Sequence, residues 1–247
     1  MDARVIVKPL VLLRHAQSQW NLENRFTGWA DVGLAEAGRE EARRAGALLC
    51  AQGYRFDRAF TSQLQRATET LEIVLRELGQ ENIPVERSWR LNERHYGALE
   101  GLDKVAFAAE HGGDTLHRMR RGYRDRPAPL AADDPRYRRH RDAYPDLDPA
   151  LLPATESLAD TLARLLPYWN GTISPAIARG ERVLIVSHGN TLRALLKHLG
   201  NMTEHEVEQF EIPTGRPLVV EFTPGDEFLR RDYLGIPVAA PPDKVAG

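Results

Sequence analysis

Residues 183–190 read VLIVSHGN, and residues 10–17 read LVLLRHAQ. Each stretch is a short apolar run, rich in branched side chains, that ends close to a histidine. Runs of this length and composition are typical of buried strands in a parallel sheet. Because ligands bind beyond the carboxyl ends of the strands in open α/β sheets, we expect His15 and His188 to face one another across a single site.

Segments with helical periodicity alternate with the strands and predict the rest of the fold. Apolar residues recur at helical spacing in the ranges 34–52, 64–78, 158–169 and 192–199, and residues 56–60 are typical of another strand. Ser62 with Gln65, and Thr203 with Glu206, predict capping boxes at the starts of two helices. We therefore expect an α/β fold of three layers, with a mostly parallel central sheet flanked by helices.

The 247 residues, 42% of them apolar, suffice for a single domain over residues 1–247. Residues 112–153 differ in character, with repeated Arg, Asp and Pro and few large aliphatic residues. This insertion is either a disordered surface excursion or a polar segment over the active site. The second interpretation is favoured, because long insertions in compact domains are usually functional. Residues 235–247, rich in Pro and Ala, predict a mobile tail.

Composition limits the partners and the compartment. The formal charge of −2 argues against nucleic acid or an anionic membrane as a partner, so any anion site is local. The single cysteine, Cys50, excludes internal disulfides and cysteine-rich metal centres, which fits a reducing compartment. The apolar run near the start of the sequence is too short for a signal peptide core or a membrane span. We expect a cytoplasmic protein.

The polar residues near the two histidines permit phosphoryl transfer. A phosphoryl group in transit carries charge on three oxygens, so its catalyst consists mainly of positioned donors and cations. A neutral imidazole is available as a nucleophile near pH 7. Arg14 is one nearby cation, and Arg66 lies in the first turn of its helix, where a bound anion would account for it. Asn21 and Asn190 add neutral donors, and Glu93 could protonate a leaving group.

Other chemistries lack their motifs. Residues 205–209 read HEVEQ, which lacks the second histidine of a zinc-protease helix. The sequence contains neither a P-loop nor a Gly-x-Gly-x-x-Gly stretch, so no nucleotide cofactor is indicated. We expect no metal.

Together the motifs resemble the 2,3-bisphosphoglycerate-dependent phosphoglycerate mutases of the histidine phosphatase superfamily, over about residues 10–235. The resemblance is carried by NLENRFTGW at 21–29, TS at 61–62 with RA at 66–67, LNERHYGAL at 91–99, YWN at 168–170, SHGNTLRA at 187–194 and IPTG at 212–215.

The resemblance implies reversible interconversion of 3-phosphoglycerate and 2-phosphoglycerate, in glycolysis and gluconeogenesis, by an isomerase. His15 would be phosphorylated by a 2,3-bisphosphoglycerate primer, Glu93 would move a proton, and His188, Arg14 and Arg66 would stabilise the phosphoryl group. The implied substrate contacts are Arg14, Ser18, Asn21, Thr27, Gly28, Arg66, Glu93, Arg94, Tyr96, Lys104, Arg120, Arg121, Gly189 and Asn190. The implied partners are small phosphorylated three-carbon acids and a second or further copies of the chain, in a homodimer or homotetramer.

One departure and two alternatives accompany this resemblance. The family usually has glycine after the nucleophile, and an alanine in a positive-φ conformation would cost about 1 kcal/mol at Ala16. One alternative is a phosphomonoesterase, in which water takes the phosphate from His15. The other is a non-catalytic phosphate-binding module. Lys104, Arg120 and Arg121 favour the mutase, because a second anion subsite serves to retain a bisphosphate.

Overall fold

The computed structural model describes residues 8–223 and 228–235; apart from Gly235, the predicted mobile tail lies outside these ranges. One sheet of six strands runs through the described residues. Its strands are β1 (Lys8–Arg14), β2 (Arg58–Thr61), β3 (Val85–Arg87), β4 (Val183–Ser187), β5 (Pro217–Phe222) and β6 (Phe228–Tyr233), in the spatial order β3-β2-β4-β1-β5-β6. Strands β3, β2, β4 and β1 pair in parallel, whereas β5 is antiparallel to both β1 and β6. The sheet is mostly parallel, as predicted.

Helices cover both faces of this sheet. The helices of the described residues are α1 (Gln19–Leu22), α2 (Glu36–Ala51), α3 (Gln65–Leu78), α4 (Lys104–His111), α5 (Gly113–Arg121), α6 (Pro135–Ala143), α7 (Leu158–Tyr168), α8 (Ser174–Ala178), α9 (Gly189–Leu199) and α10 (Glu204–Gln209). Successive side chains of a strand point to opposite faces. Leu10 and Leu12 of β1 therefore pack with α7 and α9, and Val11 and Leu13 pack with α2 and α3. Burial on both faces explains why the strands read as continuous apolar runs.

The predicted helices form with small shifts at their ends. The predicted helix 34–52 is α2, and the predicted strand 56–60 is β2. Gly79 ends α3 in a left-handed conformation with φ of 62°. The capping box at Thr203 is confirmed. The one at Ser62 is wrong: Leu64 is the N-cap of α3, and the Ser62 hydroxyl contacts His188 instead.

The polar insertion 112–153 folds against the domain. It contains α5 and α6, and Leu130 and Leu152 anchor it in the interior. Within the described ranges, none of the helices is both long enough and apolar enough to cross a membrane.

Candidate active site

The two histidines predicted to face one another lie side by side. His15 follows β1 and His188 follows β4, and the register of this parallel pair sets Arg14 opposite Ser187. The backbone N–H of His15 donates to the carbonyl of Ser187 at 2.8 Å. The ring centroids are 5.0 Å apart, and both side chains are buried. The adjacency of β1 and β4 therefore brings together residues separated by most of the chain.

Local hydrogen bonds orient the two rings differently. Nδ1 of His15 lies 2.7 Å from the carbonyl oxygen of Ala16, which can only accept, so Nδ1 carries the proton and Nε2 keeps a lone pair. Nε2 of His188 lies 2.8 Å from the Ser62 hydroxyl, which already accepts from the N–H of Leu64. When Ser62 donates to Nε2, the His188 proton lies on Nδ1. His15 offers a nucleophilic nitrogen, and in this tautomer His188 offers a donor.

Both imidazoles are held neutral. Burial, with the charges of Arg66 and Arg14, holds the pKa of His15 well below that of an ordinary imidazole. Burial, Arg66 and His15 lower the pKa of His188 in the same way. A neutral His15 is the form that can attack phosphorus at neutral pH.

Two arginines present buried donors that lack protein acceptors. Arg14 donates through Nη1 to the carbonyl of Ile212 at 2.8 Å, and Arg66 donates to the carbonyls of Gly28 and Ala30 at 2.8 and 2.9 Å. Within the described residues, Nε of each arginine and Nδ1 of His188 are buried without a hydrogen-bond partner. Burial lowers the pKa of Arg66 to about 10, which still leaves it charged at pH 7. Buried donors of this kind normally have an acceptor, and an anion would supply one.

Glu93 lies at the same end of the sheet and is 8% exposed. Its Oε1 accepts from the backbone N–H groups of Arg94 and Asn190 at 2.8 and 3.2 Å. Its own carbonyl accepts from Nε1 of Trp29 at 2.7 Å, which fixes the main chain. The carboxyl group is thereby held against the N-terminus of α9, the helix that follows His188.

These groups border one cleft of about 630 Å³, including its mouth. Of the residues predicted for the site, the cleft is lined by Arg14, His15, Asn21, Thr27, Gly28, Arg66, Glu93, Tyr96, Lys104, Arg120, Arg121, Gly189 and Asn190. It is also lined by Arg25, Phe26, Arg193, Glu211 and Ile212, which carried no prediction. Three predicted residues lie behind this lining: His188, Ser18 and Arg94.

The predicted contact of Ser18 with substrate does not match its position. Its hydroxyl forms the capping box of α1 with Asn21, accepting from the Asn21 N–H at 3.3 Å and donating to Oδ1 at 2.9 Å. Ser18 therefore orients Asn21, which does line the cleft. Arg94 lies against the ring of Tyr96, 4.6 Å from its centroid, and donates to the carbonyl of Met119.

A second group of cations lies in the cleft beside the phosphoryl site. Lys104 donates to the carbonyl of Arg25 at 2.7 Å. Burial, together with the charges of Arg120 and Arg14, lowers the pKa of Lys104 to about 8. Arg121 pairs with Glu211 at 2.7 Å. The cleft therefore holds more positive charge than a single phosphoryl group needs.

Arg193 is one of the lining residues for which the sequence predicted no role. It is almost fully buried, donates to Oδ1 of Asn190 at 2.9 Å and donates to the carbonyl of Arg121 at 3.0 Å. It thus contacts two residues that line the cleft, Asn190 and Arg121. Its place one helical turn after Asn190 was the available signal, because residues at this spacing share a helix face.

The alanine that replaces the usual glycine is accommodated. Ala16 is not among the residues with positive φ, and its N–H donates to Oγ1 of Thr70 at 3.1 Å. Its methyl group is fully buried in a small cluster with Leu34, Ala42 and Ile73. The substitution therefore introduces no backbone strain beside His15.

The sequence profile of the histidine phosphatase superfamily, branch 1, matches residues 10–232. The chain belongs to this superfamily. Its mixed α/β fold, with a central sheet flanked by helices, is consistent with this superfamily, whose members are enzymes of phosphoryl transfer.

Several solved structures are similar to this histidine phosphatase. YhfR of Bacillus stearothermophilus is 25% identical, with a TM-score of 0.66 over 90% of this chain and 94% of its own. A mycobacterial glucosyl-3-phosphoglycerate phosphatase is 23% identical, with a TM-score of 0.68 over 92% of this chain and 97% of its own. The alpha-ribazole phosphatase of Shigella flexneri is 22% identical, with a TM-score of 0.63 over 90% of this chain and 94% of its own. Likeness at these identities shows the shared fold.

Proposed function

We propose that this member of the histidine phosphatase superfamily is a mutase of small phosphorylated hydroxy acids. It would interconvert 3-phosphoglycerate and 2-phosphoglycerate through a phosphorylated His15. The observation that carries the proposal is the double set of cations in one cleft. Arg14 and Arg66 lie beside the histidines, while Lys104, Arg120 and Arg121 add a further group. A simple phosphatase needs only the first set. An enzyme that keeps a bisphosphate bound while it turns around needs both.

The residues of the chain divide the reaction between them. Nε2 of His15 attacks phosphorus, and the oxygens of the phosphoryl group meet the unpartnered donors of Arg14 and Arg66, with the buried ring of His188 packed beside His15. Glu93 then takes the proton of the accepting hydroxyl as His15 gives up its phosphoryl group. In the return step His15 accepts the other phosphoryl group of the bisphosphate, and Glu93 protonates the oxygen that leaves.

We propose 2,3-bisphosphoglycerate as the primer of this cycle. When bound, the primer would supply the first phosphoryl group to His15. Arg14, Arg66 and Asn190 would hold the phosphate near the histidines, and Lys104, Arg120 and Arg121 would hold the carboxylate and the second phosphate. The buried, unpartnered donors and the excess of cations over carboxylates in the lining support this fit. The charges that a phosphoryl group requires come from these side chains, and we propose that no metal takes part.

A phosphomonoesterase is the second candidate, and the names of the structural neighbours favour it. In that reaction the same His15 is phosphorylated, and water, deprotonated by Glu93, releases phosphate. The two candidates share every step up to the phosphoryl acceptor.

The test is an enolase-coupled assay with 3-phosphoglycerate, run with and without primer, beside a measurement of released phosphate. The mutase proposal expects 2-phosphoglycerate to form faster by at least tenfold with primer, and little phosphate to appear. Release of phosphate as the main product, independent of primer, would replace the mutase by the phosphatase. Arg121→Gln is the matched variant, because it removes a cation of the second group and leaves the phosphoryl site in place. It should raise KM for the mutase substrate more than it slows hydrolysis of a plain monophosphate.

A further inference from the structure

Three buried side chains outside the cleft form a connected line: His95, His140 and Glu100. The N–H of Gly97 donates to Nδ1 of His95 at 2.9 Å, and Nε2 of His95 lies 3.0 Å from Nδ1 of His140. Nε2 of His140 lies 3.2 Å from Oε1 of Glu100. All three are less than 5% exposed. Nothing in the proposed reaction uses them directly.

One assignment of the ring protons satisfies every hydrogen bond along this line. Because His95 accepts at Nδ1, its proton is on Nε2 and is donated to His140. His140 then accepts at Nδ1 and carries its own proton on Nε2, directed to the carboxylate of Glu100. Burial, with His140 and Arg164 nearby, keeps the pKa of His95 well below its ordinary value. The line therefore ends on Glu100, whose carboxylate is the acceptor in each of its hydrogen bonds.

From Glu100 the line continues through the main chain to Arg66. Oε2 of Glu100 accepts from the N–H groups of Trp29 and Ala30 at 3.2 and 3.1 Å. The carbonyls of Gly28 and Ala30 accept from Arg66 at 2.8 and 2.9 Å. One peptide group, between Gly28 and Trp29, thus has a carboxylate at its N–H and a guanidinium at its C=O. Such a peptide is polarised from both sides, which strengthens both hydrogen bonds.

The approach of this peptide to Glu100 depends on a glycine. Gly28 has φ of 56°, and a Cβ there would lie 3.3 Å from Oε2 of Glu100 and 3.1 Å from the backbone nitrogen of Tyr96. Gly28 and Thr27 also line the cleft. The same turn therefore borders the ligand on one side and contacts the buried carboxylate on the other.

The other end of the line is anchored in the polar insertion. His140 is the buried residue of α6, and Arg136 of the same helix donates to the carbonyls of Glu100 and Ala98 at 2.7 and 3.2 Å. Helix α6 thus contacts Glu100 through both its side chain and its main chain. This is a physical connection between the insertion and the arginine at the phosphoryl site.

We infer that Glu100, held in place by His140, is a positioning residue for Arg66. It fixes the turn at residues 27–30, so that two donors of Arg66 are held by carbonyls and Nε is left for a phosphoryl oxygen. This role rests on the proposed phosphoryl transfer at His15, and it holds for a mutase and a phosphatase alike. If Glu100 acts through Arg66, replacing Glu100 should weaken anion binding only in a protein that retains Arg66.

A double-mutant cycle read out by orthovanadate affinity tests this inference. Vanadate resembles the transferring phosphoryl group and needs only the phosphoryl site, so the result does not depend on mutase activity. Glu100→Gln should weaken vanadate binding about tenfold, and Arg66→Ala about a hundredfold. The double variant should bind no more weakly than Arg66→Ala alone. His140→Gln should weaken vanadate binding about threefold, and this loss should also disappear in the Arg66→Ala background. This variant replaces Glu100→Gln in the cycle if Glu100→Gln does not fold.

Glu181→Gln is the control. Glu181 is a partly buried carboxylate that pairs with Arg58 at 2.7 Å, and it precedes β4, at the end of the strand opposite His188. If Glu181→Gln changes vanadate affinity at all, its effect should multiply with that of Arg66→Ala. The inference is overturned if a folded Glu100→Gln binds vanadate as the parent does, or if its loss multiplies fully with that of Arg66→Ala. Equal coupling of Glu181 to Arg66 would overturn it too, since the loss of affinity would then report a general destabilisation of the protein.

Discussion

Lys104 is the residue of the cleft whose charge responds most readily to pH. Its pKa is lowered to about 8 by burial and by Arg120 and Arg14, so the free enzyme loses this cation as the solution turns mildly alkaline. The bound anion opposes that loss. The pH dependence should therefore appear in kcat/KM, which reports the free enzyme, more than in kcat, so that KM rises with pH.

KM for 3-phosphoglycerate should rise above pH 8. The rise should reach at most about tenfold at pH 9, the value expected if substrate binding requires the charged form of Lys104. Lys104→Arg keeps its charge through this range and should remove the rise. Steady-state kinetics between pH 7 and 9.5 measure both. The same increase in KM in the arginine variant would show that a different group titrates.

At the scale of single residues, the sequence predicted what the strand ends bring together. His15, Arg14 and His188 follow from two apolar runs and the geometry of a parallel sheet. Arg193 lies in a quoted motif but was given no role, because its partners Asn190 and Arg121 belong to separate segments. Ser18 was assigned to substrate, whereas its hydroxyl caps α1. A short motif does not show which of its polar atoms the local backbone uses.

At the scale of elements, the turn after β1 departs from the superfamily pattern without strain. Ala16→Gly should destabilise the protein by about 1–2 kcal/mol, because it removes a buried methyl group and loosens the unfolded chain. The rate of His15 phosphorylation should not increase. Denaturant unfolding measures the change in stability, and the rate at which His15 takes up labelled phosphate measures phosphorylation. A variant that is more stable or markedly faster would mean that the methyl group strains the turn.

Periodicity located the helices, but it could not locate the start of α3. Ser62 has the sequence signature of an N-cap, yet its hydroxyl serves His188, which is 126 positions away in the chain. In the insertion, polar composition left open whether the segment folds at all. Its helix α6 docks through Arg136 and His140 rather than through an apolar face, so hydrophobic patterning had nothing to detect.

At the scale of the molecule, three buried histidines link stability to acid. His15, His188 and His95 all have a pKa held well below the ordinary 6.5 by burial and neighbouring cations. Below pH 6.5 the unfolded chain takes up protons at these rings while the folded protein does not. The free energy of unfolding should therefore fall as the pH falls, by about 1 kcal/mol for each ring between pH 6.5 and 5.5.

The difference between the parent and His15→Ala isolates one of these rings. Urea unfolding at pH 7.5, 6.5 and 5.5 should show a shallower loss for the variant, by about 1 kcal/mol over the last step. Equal slopes would mean that His15 is protonated in the folded protein at these pH values, which would also weaken its role as a nucleophile.

The connections that unite the whole molecule were the least visible in the sequence. Glu100 and His140 meet only because the turn at 27–30, the segment 95–100 and α6 converge on one another. Hydrophobic periodicity and motif spacing do not predict contacts among three separate segments of the chain. The fold class and the adjacency of His15 and His188, in contrast, follow from two eight-residue stretches.

The most direct test of the account is phosphorylation of His15 itself. Incubation with 2,3-bisphosphoglycerate labelled in its phosphates should give one labelled histidine, with a bond that acid hydrolyses and alkali spares, since phosphoramidates are labile in acid. His15→Ala should take up no label. An unlabelled parent protein, or an equal label in His15→Ala, would contradict the claim that the two histidines form a phosphoryl-transfer site.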